Sequence, residues 1–198
     1  MIPKIIFHRS KIYDRQLKRT SEFELPPAES VFRSRIKEYR EAWDKEGHKI
    51  LEELESVTKL KWHENEIICY VTWGIYPYSD PLTINVSRYP KSVKDGPEIT
   101  MDILTHELIH RMLSHPLRFP KIKENWEKLM KKYPECSRVT KAHIAVHAVH
   151  EHVLRKFYGK ERLLREMQDV KDPNYVLSWE IVKRDGYQNI IRELTAGL

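Results

Sequence analysis

Residues 105–113 read THELIHRML and contain the spacing His106-Glu107-x-x-His110. On an α-helix the two histidines point only about 40° apart and lie one turn from each other, so both imidazoles can reach a single metal ion. Glu107 lies about 60° from His110, beside the ligand face, where its carboxylate can accept a proton from a water on the metal. The spacing therefore predicts one zinc ion per chain, with His106 and His110 as ligands and Glu107 as the catalytic base.

The residues around this motif favour a helix. Pro97 suits the first turn, and the helical pattern continues to about His115. Apolar side chains fall on the side of this helix opposite the histidines, so that side can be buried in a core while the ligand face looks into a cleft. The apolar positions are Met101, Leu104, Leu108 and Met112.

A catalytic zinc takes three protein ligands and keeps a fourth position open, so a third ligand has to come from elsewhere in the chain. A predicted helix over 138–158 contains the segment HIAVHAVHEHV. On that helix three histidines form one stripe and Glu151 lies at its margin, whereas His152 faces the other way and is expected to be exposed. The stripe consists of His143, His147 and His150.

His147 is the favoured third ligand, because Glu151 follows it by one helical turn and can orient it as a supporting carboxylate. Glu151 itself and His143 remain as alternatives. If Glu151 binds the metal, the site has two histidines and one glutamate. If His143 is not a ligand, we expect it to be catalytic, as a donor to the oxyanion that develops in the reaction.

The sequence HELIH on a helix, after a β-rich segment, resembles the zincin metallopeptidases, and the closest likeness is to small gluzincin-like peptidases. The resemblance covers about residues 67–155. It implies a zinc-dependent peptidase acting on a peptide or protein substrate, with a small sheet whose edge strand binds the substrate beside the metal helix. A catalytically weak or inactive protein of the same fold, which regulates or binds a partner, is the alternative.

This sequence departs from the two best-known zincin patterns. Leu113 and Pro116 stand where metzincins have the glycine and the third histidine of HExxHxxGxxH. Typical gluzincins supply a glutamate followed four residues later by aspartate, and that spacing is absent downstream of the motif. The identity of the third ligand therefore has to be settled by the structure.

The order of predicted elements indicates one α+β domain over 1–198, mostly helical, with a small β-sheet before the metal-binding helix. A long helix is expected at 30–57. Strands are expected at 67–73 and 82–87, paired as a hairpin across the loop 72–81. That loop holds Tyr76 and Tyr78, which we expect at the mouth of the cleft. Around a catalytic core of about 30–158, we expect an N-terminal extension at 1–29 and a C-terminal helical cap at 159–198.

Composition limits the remaining possibilities. The net charge is +6, but Lys and Arg are mixed with Glu along the helices, which indicates a solvated surface and no nucleic-acid partner. No run of about 18 apolar residues occurs, so no membrane span is expected. The apolar stretch at the start of the sequence is too short for a secretory signal, which predicts a cytoplasmic protein.

Cys69 and Cys136 are isolated and are expected to be reduced thiols, not ligands.

Overall fold

A computed structural model describes residues 1–18, 28–73, 76–86 and 96–198, with the backbone alone at 17 and 18. Parts of three predictions lie outside these residues: 19–27 of the N-terminal extension, 74–75 of the aromatic loop, and 87 in the second predicted strand. The elements in chain order are β1 (Lys4–His8), α1 (Lys11–Lys18), α2 (Glu29–Thr58), β2 (Glu66–Thr72), β3 (Tyr78–Ser79), β4 (Leu82–Asn85), α3 (Gly96–Ser114), α4 (Phe119–Lys131), α5 (Arg138–Phe157), α6 (Gly159–Asp169), α7 (Pro173–Asp185) and α8 (Tyr187–Leu194). The predicted fold class, mostly helical α+β with a small sheet before the metal-motif helix, is confirmed.

The sheet has the strand order β1-β2-β4-β3. β2 pairs with β4 in parallel, with Tyr70 opposite Thr83, whereas β3 runs antiparallel to β4. The predicted hairpin between 67–73 and 82–87 is therefore wrong. The connecting segment contains a short strand of its own, so the chain reverses twice and the two longer strands end up in the same direction.

Residues 4–8, which the sequence analysis placed in an N-terminal extension, form the edge strand β1. This strand pairs in parallel with β2, and Lys4 lies opposite Glu66. Ile5 and Phe7 are buried, whereas the ends of the strand are exposed. Five residues are too few for a convincing period, which explains why the sequence alone did not predict this strand.

One compact unit comprises residues 1–51 and 62–111. Helix α2 contributes buried aromatic side chains to its core, and the Tyr39 ring packs 6.5 Å from the Phe7 ring, measured between centroids. Helix α3 buries Leu104 and Leu108 completely. These positions belong to the apolar side predicted for this helix, and Met101 and Met112 are buried as well.

The other compact unit comprises residues 52–61 and 112–198 and is built around α5, which packs against α6, α7 and α8. Ser137 caps the start of α5 by accepting a 3.0 Å hydrogen bond from the Thr140 backbone N–H. Gly186 joins α7 to α8 at φ 83°, a conformation that favours glycine. In the ranges that the structure covers, no helix combines the length and the apolar character needed to cross a membrane.

Candidate metal centre

Helix α3 presents His106 and His110 on one face, as their spacing predicts. Their Nε2 atoms lie 3.1 Å apart, and the ring planes are inclined by 65°. His106 is buried and His110 is half-buried. The pair therefore directs two imidazole nitrogens to the same point.

His143 on α5 completes a group of three. Each of the three histidines offers one ring nitrogen, and these nitrogens all lie within 4.8 Å of one another. His143 is buried, with 6% of its surface exposed. Within the described residues, His106, His110 and His143 are thus close enough to hold one metal ion.

The hydrogen bonding of His143 prepares it for this role. Its Nδ1–H donates to the Val139 carbonyl at 2.8 Å, which leaves the lone pair on Nε2. Ligating histidines commonly use their second nitrogen in this way, because the bond fixes both the tautomer and the ring orientation. Burial lowers the pKa of His143 below its ordinary value, against the opposing effects of Val139 and Asp172, so the neutral form that binds metals predominates at neutral pH.

The distances agree with the geometry that zinc requires. Two nitrogens that are each about 2.0–2.1 Å from a tetrahedral zinc lie roughly 3.3 Å from each other. The 3.1 Å between His106 and His110 is close to that value. The ligand atom of His143 lies within 4.8 Å of theirs.

Glu107 follows the first ligand directly and is half-buried. Burial raises the pKa of its carboxyl group from 4.5 to about 8. The thiol of Cys69, on strand β2, is completely buried, and its pKa is raised first by burial and second by the Glu107 carboxylate. Glu107 thus lies in a poorly hydrated environment, where a carboxylate accepts protons more readily than it does in water.

His147, the favoured third ligand of the sequence analysis, is placed elsewhere. Its Nδ1 lies 2.7 Å from Ser178 Oγ, and its ring stacks on Trp179 at 4.1 Å with an interplanar angle of 6°. Ser178 donates its own hydroxyl proton to the Tyr175 carbonyl, so the bond with His147 runs from Nδ1–H to Oγ. His147 is thus packed between α5 and α7 and is not a member of the group around His106.

The other candidate side chains on α5 also make their contacts with residues outside the group of His106, His110 and His143. Glu151 accepts a 2.7 Å hydrogen bond from Arg155 Nε. His150 is completely buried and faces Trp179, with ring centroids 6.2 Å apart. The expectation that His152 is solvent-exposed is wrong, because this residue is half-buried and its Nε2 lies 2.6 Å from a Glu53 carboxylate oxygen.

Edge strand β3 is held against helix α3 by the residue after His110. Arg111 Nη1 donates to the Ser79 carbonyl at 3.3 Å and to Asp80 Oδ1 at 3.0 Å, and its Nε donates to Glu64 at 3.3 Å. The two tyrosines of the aromatic loop are exposed: Tyr76 by 63% and Tyr78 by 47%. Two exposed aromatic side chains thus precede the segment that Arg111 binds.

Tyr175, Val139 and Arg111 were not identified from the sequence. The Tyr175 ring lies over the His143 ring, with centroids 3.9 Å apart and planes inclined by 32°. Val139 acts through its backbone carbonyl, so its residue type carries no signal. The only hint for Arg111 was its position directly after the second ligand.

Comparison of the chain with protein-family models, with curated proteins and with solved structures finds no match. The likeness to zincins therefore rests on the HExxH motif, and it stays a prediction.

Proposed function

We propose that this protein is a zinc-dependent metallopeptidase in which His106, His110 and His143 hold one zinc ion and Glu107 is the general base. The observation that carries the proposal is the convergence of three histidine nitrogens within 4.8 Å, with Glu107 directly after His106 on the same helix. A zinc ion at this position would supply a Lewis acid and a bound water of lowered pKa.

The number of ligands favours catalysis over a structural role. Structural zinc sites are closed by four protein ligands, whereas catalytic sites have three and leave one position for water or substrate. In the described ranges the group contains three residues. Zinc suits a set of imidazole ligands better than calcium or magnesium does, because those ions prefer oxygen.

Each residue then has a separate task. Glu107 accepts the proton of the attacking water and delivers it to the leaving amine. The Val139 carbonyl and the Tyr175 ring hold the His143 imidazole in a single orientation. In this assignment His143 is a ligand, and the oxyanion donor has to come from another residue.

Strand β3 is the element best suited to bind the peptide substrate. It is an antiparallel edge strand, and Arg111 fixes its end beside the helix that carries Glu107. An extended substrate that paired with this edge would present its backbone in a defined register. Tyr78 would then contact a substrate side chain.

The test is the substitution Glu107→Gln, which keeps the shape of the side chain but removes its basicity. We expect zinc content to be unchanged and cleavage of a fluorescence-quenched peptide library to fall by about 100-fold or more. Glu161→Gln, at an exposed position on α6, is the control and should match the unchanged protein. A Glu107→Gln variant that retains full peptidase activity would refute the proposed mechanism. A zinc-loaded chain that cleaves none of the library would instead favour the regulatory alternative.

A further inference from the structure

A groove lies along the edge of strand β1 that does not face β2. Its volume is about 550 Å³, and one wall is formed by six consecutive residues, 2–7. The opposite wall is a stripe on helix α2 that contains Arg40, Trp43, Asp44 and His48. Consecutive residues of one strand point to opposite faces of the sheet, and because they all line the groove, it runs along the outer edge of the strand.

The backbone pairing shows which groups of β1 point into the groove. The Lys4 N–H donates to the Asn65 carbonyl at 2.9 Å, so Lys4 faces β2. Along a strand, successive residues direct their N–H and C=O groups to alternate sides. Ile6 and His8 therefore also face β2, whereas Ile5 and Phe7 direct their N–H and C=O groups outward.

The wall opposite this edge is shaped by Gly47. Trp43 and Leu51 are almost fully buried in it, with 5% and 1% of their surfaces exposed. A Cβ atom at Gly47 would lie 2.2 Å from the Trp43 indole, so only glycine lets the ring lie flat against the helix. The groove thus combines outward-facing backbone groups with a wall whose exposed residues are Arg40, Asp44 and His48, and outward-facing backbone groups are what a site that adds an extended strand uses.

Charged side chains at the rim of the groove favour a peptide of one charge. Lys4 and Arg40 are cationic, and Asp44 is the single anionic residue among those that line the groove. The chain as a whole carries a net charge of +6, which adds to the attraction of an acidic ligand. The six consecutive lining residues 2–7 match a peptide of about six residues, or roughly 20 Å in extended form.

We propose that this groove binds an extended, acidic peptide segment that adds a strand to the sheet beside β1. Its backbone pairs with Ile5 and Phe7, and its carboxylates meet Lys4 and Arg40. The site lies on the edge of the sheet opposite β3, and it does not depend on the metal centre.

The experiment uses the full chain in a buffer containing EDTA, so that no metal-dependent cleavage can occur. The probes are two blocked hexapeptides, Glu-Val-Glu-Val-Glu-Val and Lys-Val-Lys-Val-Lys-Val, titrated while amide hydrogen exchange is followed by NMR. We expect the acidic probe to slow exchange of the Ile5 and Phe7 amides by about tenfold. The amides of Lys4, Ile6 and His8 serve as an internal control and should not change.

The charge assignment is tested with Arg40→Glu, at an exposed position on α2. This variant should bind the acidic probe about fivefold more weakly and the basic probe more tightly. The proposal is overturned if neither probe protects Ile5 and Phe7 at millimolar concentration, or if the basic probe binds the unchanged protein at least as well as the acidic one. It is also overturned if these amides are protected without peptide to a degree that rises with protein concentration, because a second copy of the chain then occupies the edge.

Discussion

The guanidinium group of Arg111 donates a 3.0 Å hydrogen bond to the Asp80 carboxylate, and a second bond from the same Nη1 reaches the Ser79 carbonyl at 3.3 Å. These two bonds join the helix that carries His106, Glu107 and His110 to the end of edge strand β3. A planar guanidinium can satisfy a carboxylate and a carbonyl at once, whereas a lysine ammonium cannot fix the same directions. Arg111 therefore links helix α3 to the strand that we expect to hold the substrate.

Replacing Arg111 by alanine should weaken substrate positioning while leaving the metal in place. We expect KM for a cleaved peptide to rise by about tenfold, with a smaller fall in kcat and unchanged zinc content. Arg111→Lys should recover only part of the loss. Arg33→Ala, at an exposed position on α2, is the control. An unchanged KM in Arg111→Ala would mean that β3 does not position the substrate.

Glu53 provides a test of stability against pH. Its carboxylate accepts hydrogen bonds from Lys156 and from His152. Burial alone would raise the pKa of Glu53, but the bonds from Lys156 and His152 outweigh burial and lower the pKa below 4.5. Because the folded pKa is below the unfolded one, the ionised group stabilises the fold above the unfolded pKa, and this contribution is lost as the pH falls through the folded pKa.

The substitution Glu53→Gln should accordingly reduce the free energy of unfolding at pH 7 by about 1–2 kcal/mol. The difference from the unchanged protein should shrink as the pH falls below about 4. Urea unfolding at several pH values measures both quantities, and Glu180→Gln, at an exposed position, is the control. A difference that stays constant down to acid pH would show that the charge of Glu53 contributes nothing.

Replacement of Gly47 by alanine tests the packing of Trp43 through the direction of the change in melting temperature. Glycine inside a helix normally costs up to about 1 kcal/mol relative to alanine, so replacement by alanine usually stabilises. At this position the Cβ atom would lie 2.2 Å from the Trp43 ring, which has to move. We expect Gly47→Ala to lower the melting temperature, whereas Glu46→Ala on the exposed face of the same helix leaves it nearly unchanged. A rise in Tm for Gly47→Ala would show that the Trp43 ring does not depend on this glycine.

Long periodic segments made most of the helices predictable. The apolar side of α3 was predicted correctly, because helix periodicity is a local property of the chain. The sheet was harder to predict. Parallel pairing of β1 with β2 and of β2 with β4 depends on contacts between distant residues, and neither five-residue β1 nor two-residue β3 has a local signature.

The candidate metal site was also predictable only where it depends on local geometry. One helical turn fixes the relation between His106 and His110, so their spacing was sufficient. The choice among His143, His147 and Glu151 could not be predicted in this way. All three lie on or beside one stripe of α5, at different heights along its axis. In this structure His147 packs against Ser178 and Trp179 of α7, whereas a ring nitrogen of His143 lies within 4.8 Å of nitrogens of His106 and His110.

The most direct test of the account is the zinc content of the purified protein, of His143→Phe and of His147→Phe, measured by elemental analysis after reconstitution. Phenylalanine keeps an aromatic ring against Tyr175 or Trp179 but has no ligand nitrogen. We predict about one zinc per chain in the unchanged protein and in His147→Phe, and loss of zinc in His143→Phe. Zinc retained in His143→Phe but lost in His147→Phe, or no zinc in any of the three proteins, would contradict the proposed site.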